Sequence, residues 1–175
     1  MLKLQSLIGL PMIDQASGRR AGTIQDIWFD EHWQLAGMIT RASRWGRRGM
    51  TVLRWRHVAA CGEDAVLLHE QALEERLPEG EIVRCFHTGL VRLRNLPVMT
   101  LGGLQLGRVS DVYFHQDEGT PIVGYELTDG FISDLREGRR WLRIAAYPDQ
   151  VTLGEDAILV PARAEQDLEQ ATSNR

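Results

Sequence analysis

Residues 22–29 read GTIQDIWF and residues 107–114 read GRVSDVYF. Each runs Gly, polar, β-branched, polar, Asp, β-branched, aromatic, Phe. A run of this length, rich in β-branched and aromatic residues and bounded by Gly and by polar turn residues, has the pattern of a β-strand. That the phrase occurs twice points to a chain built twice on one plan.

Other landmarks repeat in the same order. LPMID at 10–14 parallels LPVMT at 96–100, LAGMIT at 35–40 parallels IVGYEL at 122–127, and GEDAVLL at 62–68 parallels GEDAILV at 154–160. The offset grows from 86 residues at the Leu-Pro landmark to 92 at Gly-Glu-Asp-Ala. Surface loops absorb such length changes readily, and here the extra residues fall near HQDEGTP and DGFISDLREGRR. The period exceeds that of solenoids and propellers, so each copy reads as a small domain. The expected division is 1–73, a linker at 74–89, a second domain at 90–165 and a polar tail at 166–175. A helix-compatible start is expected at Gln71–Leu77, and a short fraying helix after Pro161.

The turn signals are those of small barrels. Ser17-Gly18, Gly102-Gly103, Asp129-Gly130, Gly62-Glu63-Asp64 and Gly154-Glu155-Asp156 punctuate short apolar runs, and neither copy contains a long amphipathic helix. Gly62 and Gly154 can take a positive φ at no steric cost, and the acidic residues that follow can cap or solvate a tight turn. LGGLQLG (101–107) leads into a strand, so it reads as a β-turn; a phosphate loop would have to open a helix. Asp26 and Asp111 sit in strands otherwise suited to burial, where Asp is depleted. They read as edge or bulge carboxylates that accept backbone N–H groups.

These residues together carry a resemblance: a Leu-Pro start, a Ser-Gly or Gly-Gly turn, Gly-x-Ile/Val-x-Asp-Ile/Val-aromatic-Phe, a central Gly and a closing Gly-Glu-Asp-Ala-Val/Ile-Leu. The pattern resembles the PRC-barrel domain family in two tandem copies. That family includes the cytoplasmic domain of the photosynthetic reaction-centre H subunit and the C-terminal domain of the ribosome maturation factor RimM. The resemblance implies an all-β fold of two tandem small β-barrels with a short connecting segment. It implies docking onto other macromolecules, and it brings no catalytic residues, cofactor or metal.

The chain has 175 residues, 43% hydrophobic and 25% charged, with a net charge of −4, which is globular composition. Cys61 and Cys85 are too few and too far apart for a disulfide scaffold or a redox pair. The N-terminus lacks a signal-peptide pattern, and no run approaches the roughly 20 apolar residues of a spanning helix. A cytoplasmic location with reduced thiols is the expectation. The five His are scattered, and Cys61, Cys85 and His87 match no zinc spacing. No Gly-x-Ser-x-Gly elbow, Walker loop or His-Glu-x-x-His is present.

The strongest anomaly is basic and aromatic. RASRWGRRGMTVLRWRH (41–57) interleaves Trp with Arg, and LREGRRWLRI (135–144) repeats the theme. Arg44, Trp45, Arg47 and Arg48 in the first copy and Arg139, Arg140 and Trp141 in the second are the candidate partner-binding residues. Residues 1–70 hold nine basic and seven acidic residues and 90–161 seven and ten, so neither copy is markedly basic. One alternative is a solvated hairpin with Arg stems lying over Trp rings. The functional expectation is a non-enzymatic docking protein for an unidentified protein partner. The alternative is association with RNA or a ribosomal particle, and a third reading is a ligand carrier or enzyme using a crevice between the barrels.

Overall fold

The computed structural model describes residues 1–41, 49–69, 72–116, 122–130, 138–147 and 149–170. Over these residues the protein is all-β: strands joined by turns and short 3-10 segments, with no α-helix among the described residues.

In the first copy, a four-stranded sheet runs Arg20–Thr23, Pro11–Asp14, Val66–Leu68, Val58–Cys61. Beside it a six-stranded sheet runs Val91–Arg92, Arg84–Cys85, Asp26–Phe29, Leu35–Arg41, Met50–Arg54, Glu75–Leu77. In the second copy one long strand, Gln105–Phe114, does the work of both Arg20–Thr23 and Asp26–Phe29, so the whole copy forms one curled sheet. Its order is Thr152–Leu153, Ile158–Val160, Pro97–Thr100, Gln105–Phe114, Ile122–Thr128, Arg140–Arg143, Glu169–Gln170. The copies share their irregularities: the ladder slips between Met12 and Ile13 and at the matching Val98 and Met99.

Repeated glycines have repeated reasons. A Cβ on Gly37 would sit 2.5 Å from the Leu53 carbonyl and 2.6 Å from the Trp28 indole nitrogen; on Gly124 it would sit 2.5 Å from the Leu142 carbonyl and 2.6 Å from the Trp141 indole nitrogen. Only Gly leaves room for the indole nitrogen to approach the strand this closely. Gly62 and Gly154 do not use the freedom to take a positive φ. Each starts a turn in which its N–H donates to Ala65 or Ala157, and a Cβ would crowd that same carbonyl at 3.1 and 2.8 Å. Lack of room selects Gly there.

Two helical expectations are corrected. Glu75–Leu77 is a strand on Met50–Arg54, and after Pro161 the chain makes a 3-10 turn at Ala162–Glu165 and then the strand Glu169–Gln170 on Arg140–Trp141. Val52 and Trp141 are matching positions, opposite Glu75 and Glu169 respectively, so both strands close their copy in the same place. Two or three residues carry no period, and ladder partners decide their conformation.

The interior is shared. Leu4, Leu7, Met12, Ile27, Phe29 and Leu53 of the first copy lie in one continuous apolar cluster with Val98, Val112, Phe114, Tyr125 and Ile158 of the second. Trp55 meets Phe114 edge to face at 5.6 Å, and the Trp33 indole donates to the Leu153 carbonyl at 3.2 Å. Burying Phe114 and Phe86 fully contributes about 1.5–3 kcal/mol each. The copies therefore fold against each other.

Candidate functional site

At the junction of the copies, backbone ladders and buried carboxylates meet. The segment that leads into each copy lies on the other copy. Arg84–Cys85 pairs antiparallel with Asp26–Phe29, and the Phe86 N–H donates to the Ile27 carbonyl at 2.9 Å. Leu2–Lys3 pairs antiparallel with Tyr113–Phe114, and the Leu4 N–H donates to the Val112 carbonyl at 2.9 Å. Residues 74–89 are thus bound into the first copy's sheet at two places.

The repeated aspartates hold these exchanged segments. Asp26 is 1% exposed; it accepts the N–H groups of Ile27 at 2.8 Å, His87 at 3.0 Å and Thr88 at 2.8 Å, and the Thr88 hydroxyl at 2.6 Å. Asp111 accepts the N–H groups of Val112 at 2.8 Å and Gln5 at 2.9 Å. Burial pushes the Asp111 carboxyl above the usual aspartate range, against the pull of those two N–H groups. Both carboxylates do what the strand context predicts: they accept backbone N–H groups.

Beside each aspartate the copies diverge. Opposite Asp26 lies Ile39, in an apolar cluster with Trp28, Val52, Ile82 and Cys85. Opposite Asp111 lies Glu126, 2% exposed, which accepts hydrogen bonds from Lys3 Nζ at 2.6 Å, Arg139 Nη1 at 2.7 Å and the Tyr113 hydroxyl at 3.0 Å. Burial pushes the Glu126 carboxyl up, yet the hydrogen bonds of Lys3 and Arg139 and the charge of Lys3 outweigh it and hold the group below its usual range. Burial lowers Lys3, but Glu126 and Tyr113 raise it above the ordinary lysine value. A buried carboxylate with two cations is what burial of charge requires.

Lys3, Gln5 and Glu126 were not singled out from the sequence, and His87 was considered there only beside Cys61 and Cys85 as a zinc ligand. The signal for Glu126 was present: a Glu in the apolar run IVGYELT, where the first copy has Ile.

Of the Arg/Trp candidates, Arg44, Trp45, Arg47 and Arg48 lie outside the described residues. Arg139, 54% exposed, is bound to buried Glu126, and Arg140 bonds the Leu106 carbonyl at 2.6 Å and also Asp129. Trp141 is half-buried over Gly124, tilted against Tyr113 with centroids 5.7 Å apart, and the Arg143 guanidinium lies 5.0 Å from its ring. In the first copy Arg54 stands over Trp28 at 5.9 Å and is gripped by Glu75. The described arginines of these hairpins are thus engaged within the fold.

The thiols are free: burial pushes Cys61 up to about 11 and Cys85 to about 12. Nucleophilic thiolate is scarce at neutral pH. Among the described residues no cluster of His, Cys, Asp and Glu could hold a metal, and no helix is long and apolar enough to cross a membrane.

Comparison with known proteins adds the family. The PRC-barrel domain model matches residues 1–68 and again 89–167, most of the chain. The chain belongs to the PRC-barrel domain family. It is also similar to the uncharacterised protein YrrD of Bacillus subtilis (strain 168), 31% identical over 137 residues, 78% of this chain and 75% of that protein. The two PRC segments coincide with the two structural repeats, and the strands Glu75–Leu77 and Arg84–Cys85 lie between them.

Proposed function

We propose that this tandem PRC-barrel protein is a non-enzymatic docking protein that binds another macromolecule in the cytoplasm. The observation that carries the reading is the reciprocal exchange of lead segments. It joins the copies into one body with a shared core, which presents its outer faces in fixed relation and lowers the ordering cost of binding.

The same exchange speaks against chemistry at the repeated aspartates. Asp26 and Asp111 are buried and hold backbone amides, so neither faces a crevice where a substrate could meet it. Two free thiols that burial keeps protonated suit a reducing compartment.

For the docking face, the proposal ranks Arg44, Trp45, Arg47 and Arg48 ahead of Arg139, Arg140 and Trp141, because the latter three already hold Glu126, Asp129 and Gly124. The test is affinity capture from cell extract at low and high salt, with protein and RNA detection. A protein partner lost on Arg47→Glu with Arg48→Glu, and retained with Arg140→Glu, is the expected result. Capture of RNA alone, weakening steeply with salt, would replace this reading with the RNA-associated one.

A further inference from the structure

From Ile82 to Ser110 the chain has no Asp or Glu, although the whole sequence holds 24. The same stretch carries Arg84, His87, Arg92, Arg94 and Arg108, and the fold gathers most of them on one face. Arg94 Nη1 lies 3.3 Å from His87 Nδ1. Arg108 Nη1 donates to the carbonyl of Asn95, the backbone neighbour of Arg94, at 2.9 Å. Arg92 is two residues before Arg94 on the same side of the chain, with buried Leu93 between them pointing the other way. Arg92, Arg94 and Arg108 are all exposed.

Among the described residues no carboxylate comes within ion-pair distance of these three guanidinium groups, whereas Lys3, Arg54, Arg56, Arg139 and Arg140 each have one. The face has an apolar element too. Leu90 is 84% exposed, the most of any large apolar side chain described, and it immediately precedes Val91–Arg92. That strand is the outermost of the six-stranded sheet, so one of its edges has no strand neighbour among the described residues. The first copy has no counterpart: its positions matching Arg92, Arg94 and Arg108 are Ser6, Ile8 and Thr23.

We infer that this row is a docking site for an acidic protein segment that carries an apolar side chain, with Arg92, Arg94 and Arg108 meeting its carboxylates and Leu90 its apolar residue. The inference rests on the docking reading above and deepens it by naming a face and a partner chemistry. Protein is favoured over nucleic acid by the composition of the face. Single-stranded nucleic acid is gripped by aromatic platforms interleaved with cations, whereas Phe86 is fully buried and the exposed large side chain is a leucine. Each of the three guanidinium groups meets a neutral partner, Arg92 the Gly89 carbonyl, Arg94 His87 and Arg108 the Asn95 carbonyl, and guanidinium groups with no carboxylate partner among the described residues suit carboxylates, which they bind in a bidentate fork.

The test is fluorescence anisotropy of the full chain with three labelled probes: a peptide alternating Glu and Leu, the matching Lys-Leu peptide, and a mixed-sequence RNA oligonucleotide. Saturable binding of the Glu-Leu peptide, weakening as salt rises, is expected. Arg92→Glu with Arg94→Glu and Arg108→Glu should weaken it about tenfold or more, and Arg19→Glu should leave it unchanged. Arg92→Gln with Arg94→Gln, at wild-type melting temperature, should weaken it in the same direction, which guards against misfolding of the triple variant. Absence of saturable binding, equal affinity in the triple variant, or tighter binding of the RNA overturns the inference. Extract capture separates it from the reading beneath: a partner still retained by the triple variant overturns this face and leaves docking in place.

Discussion

Gln5 and His87 occupy matching positions in the two lead segments, and their side chains meet, Gln5 Oε1 to His87 Nε2 at 3.0 Å. Each donates its backbone N–H to the other copy's repeated aspartate, Gln5 to Asp111 and His87 to Asp26. The contact therefore lies where the two exchanged segments cross. It joins two residues that each tie one copy's lead segment to the other copy.

The histidine at this crossing makes the junction sensitive to acid. Burial lowers its pKa, the Asp26 charge opposes that, and Arg94 lowers it further. The unfolded imidazole takes its proton near the ordinary 6.5 and the folded one only at lower pH, so between these values the unfolded chain holds more protons. Stability is full above 6.5 and falls as pH drops through that window. Thermal melts from pH 7.5 to 5.0 should show a steeper fall for the wild type than for His87→Gln.

The aspartates should rank by the amides they hold. Asp26→Ala strands the Ile27, His87 and Thr88 N–H groups, and Asp111→Ala those of Val112 and Gln5. At about 1–3 kcal/mol per buried group left unsatisfied, both variants should be clearly destabilised in urea, Asp26→Ala more so. Equal or negligible losses would mean that water replaces the carboxylates easily.

Glu126 contributes on the acid side as well. Its folded pKa lies below the usual 4.5, so its stabilisation is present above 4.5 and is lost as pH falls through the depressed value. Glu126→Gln should flatten the acid limb of the stability profile below pH 4.5. Glu126→Ala removes the carboxylate that Lys3 and Arg139 share, and because both cations keep part of their hydration it should cost about 1–3 kcal/mol by chemical denaturation.

The central glycines are intolerant for lack of space. Gly37→Ala and Gly124→Ala each push a methyl into a carbonyl and an indole, so each should destabilise by about 1–3 kcal/mol. A melting temperature within a degree of wild type for either would show that the Trp28 or Trp141 ring moves aside at no cost.

The sequence announced the elements that repeat. The phrase around Asp26 and Asp111, the central Gly37 and Gly124, and the Gly-Glu-Asp-Ala turns each express one local geometry used twice, and the all-β fold and PRC-barrel family follow from them. What it did not announce is where the copies trade partners. Leu2–Lys3 and Arg84–Cys85 are two-residue strands with no periodicity of their own, and their conformation comes from distant ladder partners. The Arg/Trp hairpins stood out by composition, but composition does not tell a solvent-facing guanidinium from one holding a buried glutamate, as Arg139 does. The row at Arg92, Arg94 and Arg108 was hidden differently: its arginines are spread over a long stretch, and its distinguishing mark is the absence of acid around them.

The reciprocal exchange is tested most directly by native-state hydrogen exchange followed by fragment mass spectrometry. The amides of residues 4–5 and 86–88 should exchange slowly in the wild type; Asp111→Ala should release the first segment alone, and Asp26→Ala the second alone. Rapid exchange of residues 4–5 in the wild type, or release of the same segment by both variants, would contradict the exchange.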